Sequence, residues 1–294
     1  SFAGGGGPPG GLPGGRGPAG VFGVGAAVTK PACAEPPSNY SPLKVPGTVV
    51  KDIDGLEAGT NHGRAADKYV YSASVVNQWL EKPSTQPKNK KIVFVTFDDG
   101  PTTKFTGEQL DNLEKAGARA TFFMIPPQMR DVGKNMLSRS LKMGNALAIH
   151  SYSHDYKYLY HGSAANKAKH ISCDWDWAMA QSRAILGSNY FSSAFRYPGG
   201  HMSWTNLSQA DATLAKRGVG WIDWNAMSGD ADAQRPTTVP GYLQMVKKSI
   251  KESNNPNVVV ILNHDTYGKQ MTAKAMPSIL AWLKSQGYEF GVIA

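Results

Sequence analysis

Two adjacent aspartates end the most apolar stretch of the chain. Residues 92–97 (IVFVTF) are nearly all β-branched or aromatic, which is typical of a strand buried on both faces of a parallel sheet, and Asp98 and Asp99 follow directly. Because successive strand side chains point in opposite directions, one carboxylate could hold a metal ion while the other handles a proton. The alternative is a strand-ending turn in which the sequence DDGP only begins a loop.

Two histidines four residues apart follow the third predicted strand. His150 and His154 face the same way if the chain leaves that strand in a helical turn. Two imidazoles and one carboxylate from a neighbouring strand make a three-ligand metal site with open positions for water and substrate, and zinc is the default ion for such ligands. The alternative is a pair of histidines spaced by chance on a helix surface.

Polar side chains also end the later predicted strands. Arg196 begins RYPGG, whose proline and glycines fix an abrupt turn, so its guanidinium could be aimed at Asp98 and keep that carboxylate ionised. A structural salt bridge is the alternative, and it is compatible with the functional role. His264 ends the strand VVVIL and could protonate a leaving amine if a carboxylate keeps the imidazole charged. The stretch WIDWNAMSGD offers two such carboxylates, Asp223 and Asp230.

Two tryptophans in the same stretch have two interpretations. Trp221 and Trp224 lie on either side of Asp223. Their rings could wall a groove that binds sugar, whereas packing in the core is the commoner role of a single tryptophan. The sequence leaves both interpretations open.

An alternation of strands and helices must position these side chains. After Lys91, strand-like apolar runs alternate with amphipathic runs, which is typical of an α/β fold with a parallel sheet. Helices are predicted over 106–116, 131–143, 163–186, 205–217, 239–252 and 272–285. Seven strands joined by right-handed crossovers predict a barrel, closed or incomplete, with its site at the carboxyl ends of the strands.

The basic charge of the chain suits anionic surroundings such as a cell wall, a membrane surface or nucleic acid. The 294 residues carry a formal net charge of +9 and the sequence pI is about 9.4. Lysine and arginine are scattered and no nucleic-acid motif is found, so we expect no nucleic-acid partner. No apolar run approaches the roughly 18 residues of a membrane helix, and we expect any export signal or anchor to have been removed or never to have existed.

Three regions differ in composition. Residues 1–30 are dominated by glycine and proline, which predicts a flexible leader. Residues 31–90 are mixed and contain an apolar run at 69–80, so we expect an extension that packs on a main domain at 91–294. The two cysteines, Cys33 and Cys173, provide neither a disulfide framework nor a metal cluster, although they could form a single bridge.

Four motifs resemble those of a known family. TFDDG at 96–100, HSYSH at 150–154, RYPGG at 196–200 and LNH at 262–264 resemble, in order and placement, the signature motifs of the polysaccharide deacetylases, carbohydrate esterase family 4. The resemblance covers about residues 91–294. It implies a distorted (β/α)7 barrel, in agreement with the seven strands counted above. It also implies a metal-dependent hydrolase that cleaves a carbon–nitrogen bond other than a peptide bond, by removing N-acetyl groups from a polysaccharide that contains N-acetylglucosamine.

The same resemblance implies a role for individual residues. Asp98 is similar to the catalytic base, Arg196 to the group that tunes it and His264 to the catalytic acid. The implied ligands of a divalent metal, zinc or alternatively cobalt, are Asp99, His150 and His154.

One family motif, which normally ends in Asp-Trp, matches more loosely. Asp223 and Trp224 have the expected letters, whereas Asp230 has the expected position beyond the strand. We favour Asp230 as the carboxylate that supports the catalytic acid. The implied substrate-binding residues are Tyr197, Asp223, Trp224 and Leu262.

The sequence constrains the identity of the acetylated polymer less than it constrains the reaction. Members of the family act on N-acetylglucosamine in peptidoglycan or chitin, and some remove O-acetyl groups from xylan. The basic charge favours an anionic wall polymer, so we rank peptidoglycan ahead of chitin, chitooligosaccharides and acetylxylan. We expect a monomer that is secreted or attached to the cell surface. Alternatives of another class are a non-catalytic carbohydrate-binding wall protein and a structural wall component, and the intact set of catalytic positions argues against both.

Overall fold

The computed structural model describes Cys33 and residues 48–294. Its strands are β1 (Val70–Tyr71), β2 (Ile92–Asp98), β3 (Ala120–Met124), β4 (Ala146–Ile149), β5 (Ala194–Phe195), β6 (Gly220–Trp221), β7 (Ala226–Met227), β8 (Val258–His264), β9 (Glu289–Phe290) and β10 (Val292–Ile293). Its α-helices are α1 (Ala73–Glu81), α2 (Thr103–Ala116), α3 (Lys134–Lys142), α4 (Tyr156–Tyr160), α5 (Ala164–Leu186), α6 (Ser208–Lys216), α7 (Val239–Glu252) and α8 (Gln270–Ser285). Short 3-10 helices cover Arg64–Tyr69, Pro83–Thr85, Pro126–Asp131 and His201–Ser203.

The main sheet is parallel and curls into a half-barrel. Its strand order is β6-β5-β4-β3-β2-β8-β7, and β9 pairs with the first residues of β2. The predicted α/β fold class is therefore confirmed. The strand count differs in detail, because β7 forms within the predicted loop after β6, and the last predicted strand is divided into β9 and β10.

Strand β2 pairs with three other strands of the sheet and fixes the register at its carboxyl end. All seven of its residues are buried, as the apolar run predicts. It pairs with β8 along its whole length, so that Asp98 lies opposite His264, and with β3 on its other side. Parallel strands bring their carboxyl ends to one edge, so the polar residues that follow β2, β4, β5 and β8 meet there.

Several predicted helix ends were wrong. The helix predicted to begin at Thr106 begins at Thr103, and the Thr106 hydroxyl accepts a hydrogen bond from the Thr102 N–H inside the first turn. The helix predicted over 131–143 begins later: Asp131 ends the preceding 3-10 helix, and α3 begins at Lys134 after Gly133, which has a positive φ of 79°. Helix α7 has the predicted ends, and α5 begins one residue after Ser163, which caps it.

The segment before β2 contributes to the same core. The apolar run at 69–80 forms β1 and most of α1; β1 pairs with β10, and Trp79 of α1 packs in a buried cluster with Phe94. A disulfide joins Cys33 to Cys173 of α5. The predicted leader at 1–30 lies outside the described residues, and the division at residue 90 stays a prediction. In the described part of the chain, no helix combines the length and apolar character needed to cross a bilayer.

Candidate active site

A buried ion pair lies at the carboxyl end of β2. The Arg196 guanidinium donates to Asp98 Oδ1 at 2.9 Å, and both side chains are almost fully buried. The other guanidinium hydrogen bonds go to Thr96 Oγ1 at 2.7 Å and to the carbonyls of Ile222 and Asp223. Because every nitrogen of the guanidinium is engaged, Arg196 is rigid and fixes the orientation of the Asp98 carboxylate.

Three side chains converge on one point beside this pair. Asp99 Oδ1 lies 3.2 Å from Nε2 of His150 and 3.2 Å from Nε2 of His154. Burial alone would raise the pKa of Asp99, but the two imidazoles, when both are protonated, outweigh burial and hold the pKa far below its usual range. The structure thus brings together the three residues predicted as metal ligands.

The loop that presents the two histidines is not the predicted helical turn. Ser151 and His154 have positive φ values of 89° and 48°, and Asp99 itself has a φ of 76°. The buried Asp174 carboxylate of α5 holds this loop by accepting hydrogen bonds from the N–H groups of Tyr152 and Ser153. Non-glycine residues in this backbone region cost free energy, so the surrounding contacts must enforce the arrangement.

The arrangement of the three ligand atoms suits a divalent metal. Asp99 Oδ1 is buried and has no hydrogen-bond donor among the described residues. His150 Nδ1 lies 2.8 Å from the Arg196 carbonyl, which only accepts, so Nδ1 carries the proton and Nε2 presents a lone pair to Asp99. Ligands of a tetrahedral zinc ion stand about 3.3 Å apart, which matches these separations. Asp99, His150 and His154 therefore fit an ion such as zinc or cobalt.

A histidine at the end of β8 and a carboxylate form a second pair beside β2. Asp230 Oδ1 lies 2.8 Å from His264 Nδ1, and Asp230 Oδ2 accepts from the His264 N–H and from Thr272 Oγ1. Burial alone would lower the pKa of His264, but the hydrogen bond and charge of Asp230, together with the charges of Asp98 and Asp99, raise it to about 9. The imidazolium is thus the stable form at neutral pH, and its Nε2 lies 3.9 Å from Asp99 Oδ2.

The structure places Asp223 away from His264. Its carboxylate accepts hydrogen bonds from the N–H groups of His201 and Met202, and so holds the loop that follows RYPGG. The carboxylate that contacts His264 is Asp230, the one favoured from its sequence position.

The other predicted substrate-binding residues differ in how exposed they are. Tyr197 is fully buried and its hydroxyl donates to Asp211, so its side chain packs inside the protein. The side chains of Trp224 and Leu262 are partly exposed. Trp221 is 6% exposed and stacks on His201, which is the core-packing interpretation of that residue. Substrate contact by any of these residues stays a prediction.

Sequence reasoning missed a buried aspartate that supports the site. Asp265 follows the predicted acid directly, its N–H donates to the Asp98 carbonyl, and its carboxylate accepts from the Thr106 hydroxyl at 2.6 Å. Burial raises the pKa of Asp265 to about 7. A Cβ on Gly100 would lie 2.5 Å from the Asp265 carboxylate oxygens, so that position requires glycine. The letters HD at 264–265 were the available signal.

Sequence reasoning also missed exposed aromatic side chains near the candidate site. In the part of the chain that the structure describes, four large hydrophobic side chains are exposed: Val49, Tyr156, Met202 and Tyr267. Tyr156, Met202 and Tyr267 lie on the segments that follow β4, β5 and β8, at the end of the sheet that carries the candidate site. Tyr156 packs edge-on against Trp204, and Tyr267 packs edge-on against Phe105. Exposed rings beside a polar cleft are surfaces on which sugar rings can stack.

Comparison with known proteins agrees with this fold. The polysaccharide deacetylase family profile matches residues 85–216. The putative polysaccharide deacetylase YheN of Bacillus subtilis is 31% identical over 210 residues, which are 71% of this chain and 69% of that protein. A CE4 esterase structure from Streptococcus mutans is 39% identical, with a TM-score of 0.73 over 83% of this chain and 100% of that one.

Two further relatives differ in length or in their named substrate. A peptidoglycan-N-acetylglucosamine deacetylase of Bacillus cereus is 28% identical over 69% of each protein. A bifunctional xylanase/deacetylase of Pseudobutyrivibrio xylanivorans is 30% identical over 71% of this chain, but this chain spans only 31% of that protein's length. This chain belongs to the polysaccharide deacetylase family, carbohydrate esterase family 4.

Proposed function

We propose that this protein is a metal-dependent hydrolase that removes N-acetyl groups from a polysaccharide containing N-acetylglucosamine, with peptidoglycan as the first candidate. One observation carries the proposal. Asp98 and His264 lie opposite each other on adjacent strands, and the cluster of Asp99, His150 and His154 lies beside them. This arrangement offers a base, an acid and a cation site to a single acetyl group.

The proposed metal would be held by the three-ligand cluster. When bound, a divalent ion supplies Lewis-acid chemistry, because it polarises a carbonyl and lowers the pKa of a water molecule. The fit rests on the convergence of Asp99, His150 and His154, and the choice of zinc or cobalt rests on their nitrogen and oxygen donors.

The chain's own residues would carry out the proton transfers. Asp98, held by Arg196, takes a proton from the water that attacks the acetyl carbonyl carbon. The Tyr197 N–H is the proposed backbone donor to the oxyanion that forms. His264, kept charged by Asp230, gives its proton to the departing sugar nitrogen, which leaves as an amine while acetate is released.

Three observations support a wall polysaccharide as the substrate. The exposed rings of Tyr156 and Tyr267 follow β4 and β8, which lie on the two sides of β2 in the sheet, so the candidate site has an exposed ring on each side on which a sugar could stack. The net charge of +9 favours an anionic polymer. The relative from Bacillus cereus is named for peptidoglycan.

We also propose that the protein acts outside the cytoplasm, at or near the cell wall. The disulfide between Cys33 and Cys173 supports this location, because such bonds form and persist in oxidising compartments. The proposed polymer lies in the same place.

Mass spectrometry of acetylated oligosaccharides tests the proposal. The protein is incubated with peptidoglycan fragments, chitooligosaccharides and acetylated xylooligosaccharides, with added zinc or cobalt and with a chelator. We expect metal-dependent loss of acetyl groups from the glucosamine-based substrates, and no loss with the Asp98→Asn variant. Deacetylation of the xylose-based substrates alone would make the protein an acetylxylan esterase, and binding without turnover of any substrate would overturn the enzymatic proposal.

A further inference from the structure

A second cluster of metal-ligating side chains lies at the amino end of the sheet. His62 belongs to the segment before β1, and its neighbour Asn61 accepts a hydrogen bond through its carbonyl from Leu147 N–H, near the start of β4. The candidate active site follows the other end of the same strand. Neither the family motifs nor the proposed reaction uses this cluster.

The three ligand atoms of this cluster surround one point. His62 Nε2 lies 3.8 Å from Glu57 Oε2 and 3.9 Å from Asp67 Oδ1, and all three atoms lie within 4.8 Å of one another. A point equidistant from three such atoms is about 2.0–2.5 Å from each, which is the range of metal–nitrogen and metal–oxygen bonds. The space between them therefore suits a cation.

Hydrogen bonds fix the histidine in the tautomer that a metal requires. The Asn61 amide NH₂ donates to Ser192 Oγ and to the Ile293 carbonyl, so its oxygen is the atom that faces His62 Nδ1, at 2.9 Å. That amide oxygen can only accept, so Nδ1 carries the proton. In the neutral ring the lone pair is then on Nε2, which faces the two carboxylates.

The charges of the cluster favour a bound cation over a bare ion pair. The separations of 3.8 and 3.9 Å are too long for His62 Nε2 to donate a hydrogen bond to either carboxylate. Asp67 Oδ1 is buried and has no hydrogen-bond donor within the described ranges, Cys33 and 48–294. A buried carboxylate oxygen without a donor is costly unless a cation compensates it.

We propose that Glu57, His62 and Asp67 form a second site for a divalent transition-metal ion, of which zinc is the probe. Imidazole nitrogen with two carboxylates suits zinc or manganese better than calcium or magnesium, which prefer oxygen ligands alone. The His62 side chain is 1% exposed and that of Asp67 is 36% exposed, so the ion can reach the site from solvent. A metal there would tie the segment before β1 to β4 and to the carboxyl-terminal strands through Asn61.

Zinc stoichiometry tests this site separately from the catalytic one. The full chain is stripped with a chelator, dialysed against zinc and analysed for bound metal per protein. We expect two equivalents in the unmodified protein and one in His154→Ala. Adding Asp67→Asn or His62→Gln to His154→Ala should remove the remaining equivalent, whereas adding Glu252→Gln, which removes an exposed charge at the end of α7, should not.

Each outcome decides the proposal. The second site does not exist if His154→Ala binds no zinc. It also does not exist if His154→Ala binds one equivalent of zinc that is retained when Asp67→Asn is added and when His62→Gln is added. If the unmodified protein binds a single equivalent that Asp67→Asn removes and His154→Ala does not, the second site stands and the catalytic metal proposal fails. Because Asp67 is partly exposed, its variant is expected to fold even if His62→Gln does not, and circular dichroism checks this.

Discussion

The proposed base is an aspartate whose orientation is set by one arginine. Changing Asp98 to Asn keeps an oxygen that can accept from Arg196 but removes the negative charge that takes the proton. We expect kcat to fall about 10²- to 10⁴-fold, the usual contribution of general acid–base catalysis. Steady-state deacetylation of a chitooligosaccharide measures this loss, and metal analysis of the same sample should show the metal retained.

Asp111→Asn is the matched control for the proposed base. Asp111 is an exposed aspartate on α2 that is hydrogen-bonded to Arg139, so it also sits beside an arginine. This variant should keep full activity. Activity of Asp98→Asn within tenfold of the unmodified protein would show that another group is the base.

The pH dependence of turnover should depend on Asp230. His264 acts only in its protonated form, so activity should be present at neutral pH and fall as the pH rises through about 9. In Asp230→Asn the main group that raises the pKa of His264 is weakened, while burial, which lowers the pKa, remains. The alkaline limb of the kcat profile should therefore move to lower pH, by about one unit or more.

Asp111→Asn is the control for this profile, because Asp111 is an exposed aspartate that contacts Arg139 and not His264, and its alkaline limb should keep its place. An alkaline limb that stays near pH 9 in Asp230→Asn would mean that His264 is not the acid that the profile reports.

The sequence predicted the residues that could do chemistry better than it predicted the residues that hold them in place. The residues that could do chemistry stand at strand ends in an ordered set of motifs, so their convergence was predictable. Asp174 and Asp265 were missed because their role depends on contacts that only the fold creates. Asp174, for example, is held to the loop at 152–153 across about 20 residues, and its sequence DWDW gives no signal of this.

Among the elements, length and burial decided what the sequence could predict. Strands β2 and β8 have seven residues each and are apolar and buried, and α5 has 23 residues with a serine cap. Strands β5, β6 and β7 have two residues each, and their pairing depends on neighbours far along the chain. Helix α2 starts earlier than predicted because Thr106 bonds inside the first turn and to Asp265, and so does not cap the helix.

Substitution of the exposed tyrosines Tyr156 and Tyr267 tests whether the segments after β4 and β8 bind the polymer. We expect Tyr156→Ala and Tyr267→Ala each to raise KM for an oligosaccharide about three- to tenfold while kcat changes little, because each loses a stacking surface of about 1 kcal/mol. Chain-length series with two to six sugars measure this, and the effect should vanish for substrates too short to reach the ring.

Val49→Ala is the matched control for the two tyrosine variants. Val49 is the fourth exposed large hydrophobic residue of the described part of the chain, and its neighbour Val50 bonds to Ser188, beyond the end of α5. Its variant should leave KM unchanged. Equal KM values for all three variants would contradict a sugar-binding role for the two tyrosines.

At the scale of the whole molecule, the described segment before β2 pairs with the last strand of the chain. β1 pairs with β10, and Asn61 bonds to the Ile293 carbonyl, so residues 61–71 and the last strand share one buried region. The sequence predicted only that residues 31–90 pack on a main domain at 91–294. The contacts that hold this segment are backbone pairs and buried amides, which leave little trace in composition.

The disulfide between Cys33 and Cys173 should stabilise the folded chain. It joins residues 140 apart in sequence, and its Cα atoms are 5.7 Å apart. A bond that closes so long a loop reduces the entropy of the unfolded chain, and its removal typically costs about 2–5 kcal/mol. We expect the double variant Cys33→Ser/Cys173→Ser to have a lower Tm and a lower free energy of unfolding in urea. Reductant should lower the Tm of the unmodified protein to that of the variant and leave the variant unchanged; an unmodified protein indifferent to reductant would show that the bond does not contribute to stability.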